Sequence, residues 1–267
     1  MNGNAVAETI SGAVVDLDGT VYRGDQPVDG AVAGIERLRE AGIDVVFLSN
    51  KAFERRTVHC ERLVSFGLEV DLEHVVNSAS IAADFLARHH GSDPVYVVGE
   101  EPLIVELERA DVDVTGRPSA ARVVLVSMDR SFAYDTLCDV LEAFEHEPAF
   151  YATNPDRTCP VADGEIPDAG AIIGAVEGLT GSELDRVLGK PSKTALETAT
   201  GRLGVRPERC LMIGDRLETD VRMGHRAGMT TVLVESGVTD RTALEESTVR
   251  PDHVVDSLGA IDAVLDP

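Results

Sequence analysis

The stretch Asp16-Leu17-Asp18-Gly19-Thr20 follows the apolar run Ala13-Val14-Val15 and decides how the rest of the chain is interpreted. The apolar run predicts a buried central strand at Gly12 to Val15, and Gly19 provides the tight turn that must follow it. Ligands of parallel α/β sheets bind beyond the carboxyl ends of the strands, so the two aspartates are expected at a ligand site. Because neighbouring carboxylates repel, a divalent cation must neutralise them or one must keep its proton. The alternative is that Asp18-Gly19 only closes a turn.

Length and composition limit the class of protein. A chain of 267 residues, 43% of them hydrophobic, can bury one large domain or two small ones, and we expect a core with an insert. No apolar stretch approaches the roughly 18 residues of a membrane span, and Met1 to Thr9 has no leader pattern, which predicts a soluble cytoplasmic protein. Widely spaced cysteines argue against a zinc cluster or a disulfide framework; they are Cys60, Cys138, Cys159 and Cys210.

The charge excludes two classes of partner. A formal net charge of -23 would repel nucleic acid and anionic membranes, so neither is an expected partner. Only three of the 24 basic residues are lysines, Lys51, Lys190 and Lys193, and aromatic residues make up 4% of the chain. This profile is typical of a protein adapted to high salt, in which surface acids hold hydrated cations and salt screens their repulsion. The alternative is an ordinary acidic cytosolic enzyme.

Strand and helix patterns alternate along the chain, which predicts a parallel α/β sheet. After Val75-Val76 the alternation restarts and continues to Ala152, so this part is expected to form a second small α/β unit. Buried strands return at Arg209 to Ile213 and at Thr231 to Val234. The predicted domains are a discontinuous core, residues 1–79 and 187–267, and an inserted domain, residues 80–186.

Two further strand ends carry polar residues suited to phosphate. Ser49 and Asn50 end the strand that begins at Asp44, where a hydroxyl and an amide can hydrogen-bond a phosphoryl oxygen. Alone, this pair would be interpreted as a turn or a helix cap. Lys190 follows Val187-Leu188, and a lysine there can cancel negative charge on a phosphate. The alternative, a solvated loop lysine, is less favoured because lysine is so scarce in this chain.

A fourth strand end carries acids. Met212-Ile213-Gly214-Asp215 is an apolar strand ending in an aspartate, with Gly214 allowing close backbone approach. Asp16, Asp215, a backbone carbonyl, waters and a phosphate oxygen would fit octahedral Mg²⁺. Asp220 either supports the metal's water shell or is an acid favoured by the helix dipole in the first turn of the next helix.

These four segments, in this order, resemble the motifs of the haloacid dehalogenase (HAD) superfamily of phosphotransferases. The position of the insert resembles the NagD-like subfamily, IIA, of sugar phosphatases and nitrophenyl phosphatases. Further similarity lies in Ala152 to Asp156 and in the stretch from Gly214 to Gly228, and the resemblance covers about Gly12 to Val255. It implies a Rossmann-like parallel-sheet core with an inserted α/β cap of the C2 type.

Roles are carried over onto the matching positions. The resemblance implies that Asp16 is the nucleophile and a metal ligand, and that Asp18 is the general acid and base and binds Mg²⁺ through its backbone carbonyl. The remaining positions comprise phosphate binders, a charge-balancing lysine, a metal ligand and supporting residues: Ser49, Asn50, Lys190, Asp215, Asp220, Gly19, Thr20 and Gly214. The chain departs from its relatives at Lys51, where they commonly have asparagine, so Lys51 adds charge near the substrate.

The function implied is a Mg²⁺-dependent phosphatase that hydrolyses small phosphorylated metabolites through an aspartyl phosphate. Sugar phosphates, phosphoglycolate-like compounds and, in vitro, p-nitrophenyl phosphate are the expected substrates. Specificity is expected from the loop Asn154 to Pro160, with Asn154 and Asp156 as substrate-binding residues, although Asn-Pro-Asp is also a good turn sequence. Relatives form homodimers through the cap, so this assembly is considered too. The alternative function is a non-catalytic regulator that binds a phosphorylated metabolite.

Overall fold

A computed structural model of the protein describes residues 10–161 and 164–265. Met1 to Thr9, on which the prediction about a leader depends, lies outside the described residues, as do residues 162, 163, 266 and 267. The chain divides into two compact units. The first unit contains residues 1–49, 57–76 and 196–267, and the second contains residues 50–56 and 77–195.

Short strands alternate with helices along the described chain. The strands are β1 Gly12–Val15, β2 Tyr22–Arg23, β3 Gln26–Pro27, β4 Asp44–Ser49, β5 Val75–Asn77, β6 Val95–Val98, β7 Val123–Val126, β8 Ala149–Ala152, β9 Thr158–Val161, β10 Gly164–Pro167, β11 Arg186–Val187, β12 Cys210–Gly214, β13 Thr230–Val234 and β14 His253–Val255. The helices are α1 Ala31–Glu40, α2 Arg56–Ser65, α3 Ser78–His89, α4 Glu101–Arg109, α5 Tyr134–Ala143, α6 Ala169–Thr180, α7 Lys193–Leu203, α8 Arg222–Ala227, α9 Arg241–Glu246 and α10 Asp262–Leu265.

The larger sheet has β1 at its centre. Its strand order is β14-β13-β12-β1-β4-β5, and β1 pairs in parallel with both β12 and β4. All four residues of β1 are buried, as their apolar sequence predicts. From β1 the chain continues to β4 on one side, whereas β12 lies on the other side. The sheet therefore has a topological switch point between β1 and β12, which is where open α/β sheets bind ligands.

The second unit has its own parallel sheet and core. Its strand order is β11-β8-β7-β6, and each neighbouring pair is parallel. Buried apolar side chains of β7, β8 and α6 form a separate cluster that includes Val124, Phe150 and Ile172. Two parallel α/β sheets confirm the predicted fold class.

One predicted helix begins differently from the sequence expectation. The sequence pattern predicts a single helix over 219–227, but the chain first forms a π-helical turn, Leu217–Val221, and then α8. The amides of Asp220 and Val221 both donate to the carbonyl of Arg216, at 3.1 and 3.2 Å. The Asp220 carboxylate also accepts from the Arg216 amide at 3.1 Å. This wide turn brings Asp220 back to the end of β12, and π turns of this kind are frequent at functional sites.

Within the described ranges, no helix is both long enough and apolar enough to cross a membrane. No disulfide joins the four cysteines, all of which lie within the described ranges.

The packing of α1 yields a stability prediction. A Cβ added at Gly34 would overlap the backbone carbonyl of Leu258, whereas one added at Gly201 in α7 would meet nothing within 4 Å. We expect Gly34→Ala to lower the free energy of unfolding by about 1–3 kcal/mol through overpacking. Gly201→Ala, the control, should raise it by about 0.5–1 kcal/mol through helix propensity. Urea denaturation measures both, and equal effects of the two substitutions would contradict the packing.

Candidate active site

Asp16 lies at the carboxyl end of β1, at the switch point of the larger sheet. Its amide donates to the carbonyl of Ile213 in β12 at 2.9 Å, so the residue still follows the sheet. The side chain is buried, with 6% of its surface exposed. Thr20 donates its hydroxyl to Oδ2 of Asp16 at 3.4 Å. The turn predicted for this motif therefore places the Thr20 side chain within hydrogen-bond distance of Asp16.

The turn itself depends on Gly19. Its φ of 89° lies in the left-handed region, and its amide donates to the carbonyl of Tyr22 at 2.8 Å. A Cβ on Gly19 would also overlap the carboxylate of Asp215. Asp18 is half-buried and forms an isolated β-bridge with Tyr22. Glycine is needed here for two reasons, the backbone conformation and the close approach of a carboxylate.

Asp215 is fully buried at the end of β12. Its Oδ2 accepts the amide of Val238 at 2.7 Å, and its Oδ1 has no hydrogen-bond partner among the described residues. A Cβ on Gly237 would overlap this carboxylate, as one on Gly19 would. Two glycine-containing loops thus close around a carboxylate that keeps one oxygen available.

Three buried carboxylates converge at this point. One oxygen from each of Asp16, Asp215 and Asp220 lies within 4.8 Å of the other two. Asp220 is fully buried, and a Cβ on Gly214 would overlap its side chain. Asp215 follows β12 directly, and the π-helical turn Leu217–Val221 is what brings Asp220 into this group.

Three ionised carboxylates in this buried cluster would repel one another. Burial raises the pKa of Asp215 well above its ordinary value, and the carboxylates of Asp16 and Asp220 raise it further. The Val238 amide lowers that pKa by a smaller amount. Without a cation, the cluster therefore favours a protonated Asp215.

The residues present fit a divalent metal ion. Hard carboxylate oxygens at this separation are the ligands that Mg²⁺ prefers, and the Oδ1 of Asp215 is a buried acceptor that receives no hydrogen bond from residues 10–161 or 164–265. A divalent cation would satisfy that oxygen and would neutralise the mutual repulsion of the acids.

Ser49 is at the same edge of the sheet as Asp16. It ends β4, the parallel neighbour of β1, and 2% of its surface is exposed. The carboxyl ends of neighbouring parallel strands meet at one edge, which is why the sequence could associate these two residues.

Asn50 and Lys190 are brought together in the second unit. The Oδ1 of Asn50 accepts the Lys190 amide at 2.8 Å, and its Nδ2 donates to the Lys190 carbonyl at 3.1 Å. The same Nδ2 donates to Asp156 at 2.8 Å. Gly189 permits the approach, since a Cβ there would lie 2.7 Å from the Asn50 Oδ1. The amide expected to meet phosphate therefore also holds the segment that carries the buried Lys190.

Asn154 stabilises this same arrangement. It is buried, its Nδ2 donates to the Asn50 carbonyl at 3.2 Å, and its Oδ1 accepts the Asp156 amide at 2.9 Å. Asp156 is half-buried, and its carboxylate accepts from Asn50. The two loop residues predicted from Asn-Pro-Asp are thus in the same hydrogen-bond network as Asn50.

Sequence reasoning missed the loop from Ser236 to Val238. It follows β13, supplies the amide that binds Asp215 and contains the glycine packed against that carboxylate. The signal was present, because a glycine soon after an apolar strand is the pattern that also marks Gly214. Tyr22 and His59, which lie behind the turn, carry no comparable motif.

Comparison with known proteins assigns the family. A model described as haloacid dehalogenase-like hydrolase matches residues 13–113, and one described as HAD-hydrolase-like matches residues 187–261. Sugar-phosphatase AraL from Bacillus subtilis is 36% identical over 248 residues, which cover 93% of this chain and 90% of AraL. The chain belongs to the haloacid dehalogenase-like hydrolase family.

Solved structures agree with this assignment. A p-nitrophenyl phosphatase from Archaeoglobus fulgidus matches this haloacid dehalogenase-like hydrolase with a TM-score of 0.91 and 35% identity, over 96% of this chain and 99% of that one. NagD from E. coli K-12 matches with a TM-score of 0.86 and 30% identity, over 95% and 99% of the two chains. The NagD-like resemblance is confirmed, and the protein is a HAD-type phosphatase. The enzyme is therefore favoured over the regulator considered from sequence.

The raised pKa of Asp215 predicts a pH dependence of stability in EDTA. Between the unfolded and folded pKa values, the folded state holds a proton that the unfolded state has lost, so stability falls as pH rises through that interval. Asp215→Asn should remove this loss and be more stable than wild type at neutral pH. Asp262→Asn changes an exposed carboxylate paired with Arg37, and it should show the same loss of stability with rising pH as the wild type. Urea denaturation from pH 5 to 8 measures the difference, and parallel profiles for wild type and Asp215→Asn would contradict the burial argument.

Added Mg²⁺ should reverse this effect in the wild type but not in Asp215→Asn. At about 100 times the Kd, binding raises the free energy of unfolding by about 2.7 kcal/mol. Asp215→Asn should show almost none of this gain, while Asp262→Asn should keep it. Thermal melts with MgCl₂ against EDTA measure the gain, and an equal shift in all three proteins would place the bound metal elsewhere.

Proposed function

We propose that this protein is a Mg²⁺-dependent phosphatase that hydrolyses small phosphorylated metabolites through an aspartyl phosphate on Asp16. The observation that carries the proposal is the buried convergence of Asp16, Asp215 and Asp220 at the end of the central strand. A nucleophilic carboxylate must approach an anionic phosphate, and an acidic cluster that holds a cation removes the electrostatic obstacle.

The two units would have different roles in the reaction. We propose that the first unit is the catalytic core and that the second is the cap. The acids and Ser49 belong to the first unit, whereas the Asn50 network belongs to the second. In this division the core performs phosphoryl transfer, and the cap controls access of substrate and water.

The proposed metal ligands are the side chains of Asp16 and Asp215 and the backbone carbonyl of Asp18. Asp220 would orient the metal's water ligands. When bound, Mg²⁺ would supply charge neutralisation at the phosphoryl oxygens. This assignment is supported by the hard oxygen donors and by the buried Oδ1 of Asp215.

The chain's own residues would carry the chemistry in two steps. A carboxylate oxygen of Asp16 attacks phosphorus, the bond to the leaving alkoxide breaks, and Asp18 gives that alkoxide its proton. Asp18, now a carboxylate, removes a proton from a water molecule that attacks the aspartyl phosphate. The phosphorus–carboxylate bond breaks, which releases inorganic phosphate and restores Asp16.

Two neutral hydrogen-bonding residues and one cation would bind the phosphate group. We propose that Ser49 and Asn50 bind phosphoryl oxygens and that Lys190 balances charge. To donate from its side chain, Asn50 would exchange one of its two Nδ2 bonds, to Asp156 or to the Lys190 carbonyl, for a phosphoryl oxygen. The Asn50 side chain also holds the backbone of Lys190, so loss of Asn50 would disturb both roles.

The substrate class proposed is a sugar phosphate or a phosphoglycolate-like compound. Support comes from the relative AraL, a sugar-phosphatase, and from the structural neighbour named as a p-nitrophenyl phosphatase. Asn154 and Asp156 are proposed to influence specificity through the loop that they order. A cytoplasmic location is proposed because no disulfide joins the four cysteines, as is usual in a reducing compartment. A homodimer through the cap stays a prediction.

Adaptation to high salt is a further part of the proposal. It is supported by the net charge of -23 and by the near absence of lysine. Without screening, such a charge destabilises a compact chain by self-repulsion.

The activity prediction is phosphate release from p-nitrophenyl phosphate and from a panel of sugar and short-chain phosphates. We expect turnover with Mg²⁺, none with EDTA, and a loss of more than about 10³-fold in Asp16→Asn, because the nucleophile is gone. Asp44→Asn, an exposed aspartate at the start of β4, is the matched control and should keep full activity. Turnover by folded Asp16→Asn would refute the covalent mechanism.

The salt prediction concerns stability. Raising KCl from 0.1 to about 2 M should raise the melting temperature by several degrees, since screening shortens the Debye length from about 10 Å to below about 3 Å. Sucrose at matched water activity is the control for a general solute effect. No gain from KCl beyond that of sucrose would favour the ordinary acidic enzyme.

A further inference from the structure

Tyr22 and His59 form a buried polar pair next to the turn that carries Asp18. Tyr22, on β2, and His59, on α2, are both fully buried. The Tyr22 hydroxyl lies 2.7 Å from Nδ1 of His59. The hydrogen bond connects the strand that follows the catalytic turn with a helix 37 residues farther along the chain.

Arg62 supports the same tyrosine. Its guanidinium donates to the Tyr22 hydroxyl at 3.4 Å, and the guanidinium carbon Cζ lies 5.0 Å from the centre of the Tyr22 ring. The carboxylate of Asp25 lies 3.3 Å from Arg62. The ring is therefore held at its hydroxyl and over its face, which leaves it little rotational freedom.

The backbone of Tyr22 in turn holds the catalytic turn. Its carbonyl accepts the Gly19 amide at 2.8 Å, its amide donates to the Leu17 carbonyl at 3.1 Å, and it forms a β-bridge with Asp18. Asp18 thus lies between two residues that are hydrogen-bonded to Tyr22. Any displacement of Tyr22 would change the position of Asp18.

A second contact holds the opposite side of this turn. Ser236 donates its hydroxyl to the Gly19 carbonyl at 2.7 Å, and its own carbonyl accepts from the guanidinium of Arg23. The turn is therefore held from the loop after β13 as well as from α2. The Ser236 contact fixes Gly19, and the Tyr22 side chain connects the turn to α2 through a directional bond.

We propose that Tyr22 and His59 act as a positioning pair that holds Asp18 where its carboxyl group can protonate the leaving group. This inference rests on the proposed function, in which Asp18 is the general acid. Phenylalanine and leucine would fill the same apolar space, but they would not fix the angle of the ring. The hydrogen bond is what transmits the position of α2 to the turn.

The proposal makes a prediction about leaving groups. A poor leaving group, such as phenolate, needs the proton of Asp18 as its bond to phosphorus breaks, whereas p-nitrophenolate leaves readily without one. Misplacing Asp18 should therefore harm phenyl phosphate much more than p-nitrophenyl phosphate. A general loss of fold or of phosphate binding would harm both substrates equally.

The experiment compares kcat/KM for phenyl phosphate and p-nitrophenyl phosphate in Tyr22→Phe and His59→Leu. We expect a fall of about 10-fold for phenyl phosphate and about 2-fold or less for p-nitrophenyl phosphate, as for partial loss of general acid catalysis. Tyr96→Phe, which removes a tyrosine hydroxyl bonded to Asp139 in the second unit, is the matched control and should change neither value.

Two further variants test the pairing itself. Because the residues act through one bond, the double variant Tyr22→Phe/His59→Leu should lose no more than either single variant. His59→Gln, which keeps a hydrogen-bonding group, should recover part of the phenyl phosphate activity and carries the same comparison if Tyr22→Phe does not fold. Equal losses on both substrates, or no loss in folded variants, would overturn the positioning role. An inactive wild type would instead refute the proposed function.

Discussion

Mutual repulsion among three buried carboxylates is the constraint on which the rest of the structure depends. Asp16, Asp215 and Asp220 meet in an interior where each charge costs far more than it would in water. Burial and the two neighbours raise the pKa of Asp215 for this reason. A divalent cation, as proposed for this site, would stabilise all three charges together, and metal binding would then be coupled to stability.

The surrounding backbone is shaped to permit this convergence. Gly19 and Gly237 approach the Asp215 carboxylate more closely than any residue with a Cβ could, and Gly214 does the same for Asp220. The π-helical turn after β12 returns Asp220 to the strand end. In the second unit, Gly189 has the same function for the Asn50 side chain. The glycines and the π-helical turn therefore allow the side chains to approach closely, while the regular strands set the edge of the sheet at which they lie.

Much of the fold could be predicted, because alternating apolar segments and strand-end glycines are local signals. The bounds of β1 agree with the sequence interpretation to the residue, since Gly12 to Val15 is a short run without polar side chains between Ser11 and Asp16. The π-helical turn could not be predicted, because it depends on a hydrogen bond between Asp220 and the Arg216 backbone that helical periodicity does not encode. Asn50 was expected to meet phosphate, yet its amide also holds Lys190, a contact between residues 140 positions apart.

Local sequence patterns establish the order of strands and helices, the strand ends that carry acids, hydroxyls and the scarce lysine, and the likeness to the phosphatase family. These are properties of neighbours in the chain, and local chemistry specifies them. The packing of the folded chain is what places one carboxylate oxygen from each of Asp16, Asp215 and Asp220 within 4.8 Å of the other two. It also decided that Val238 donates to Asp215 and that Tyr22 bonds to His59. These contacts join residues far apart in sequence, and their distances depend on how sheets and loops pack.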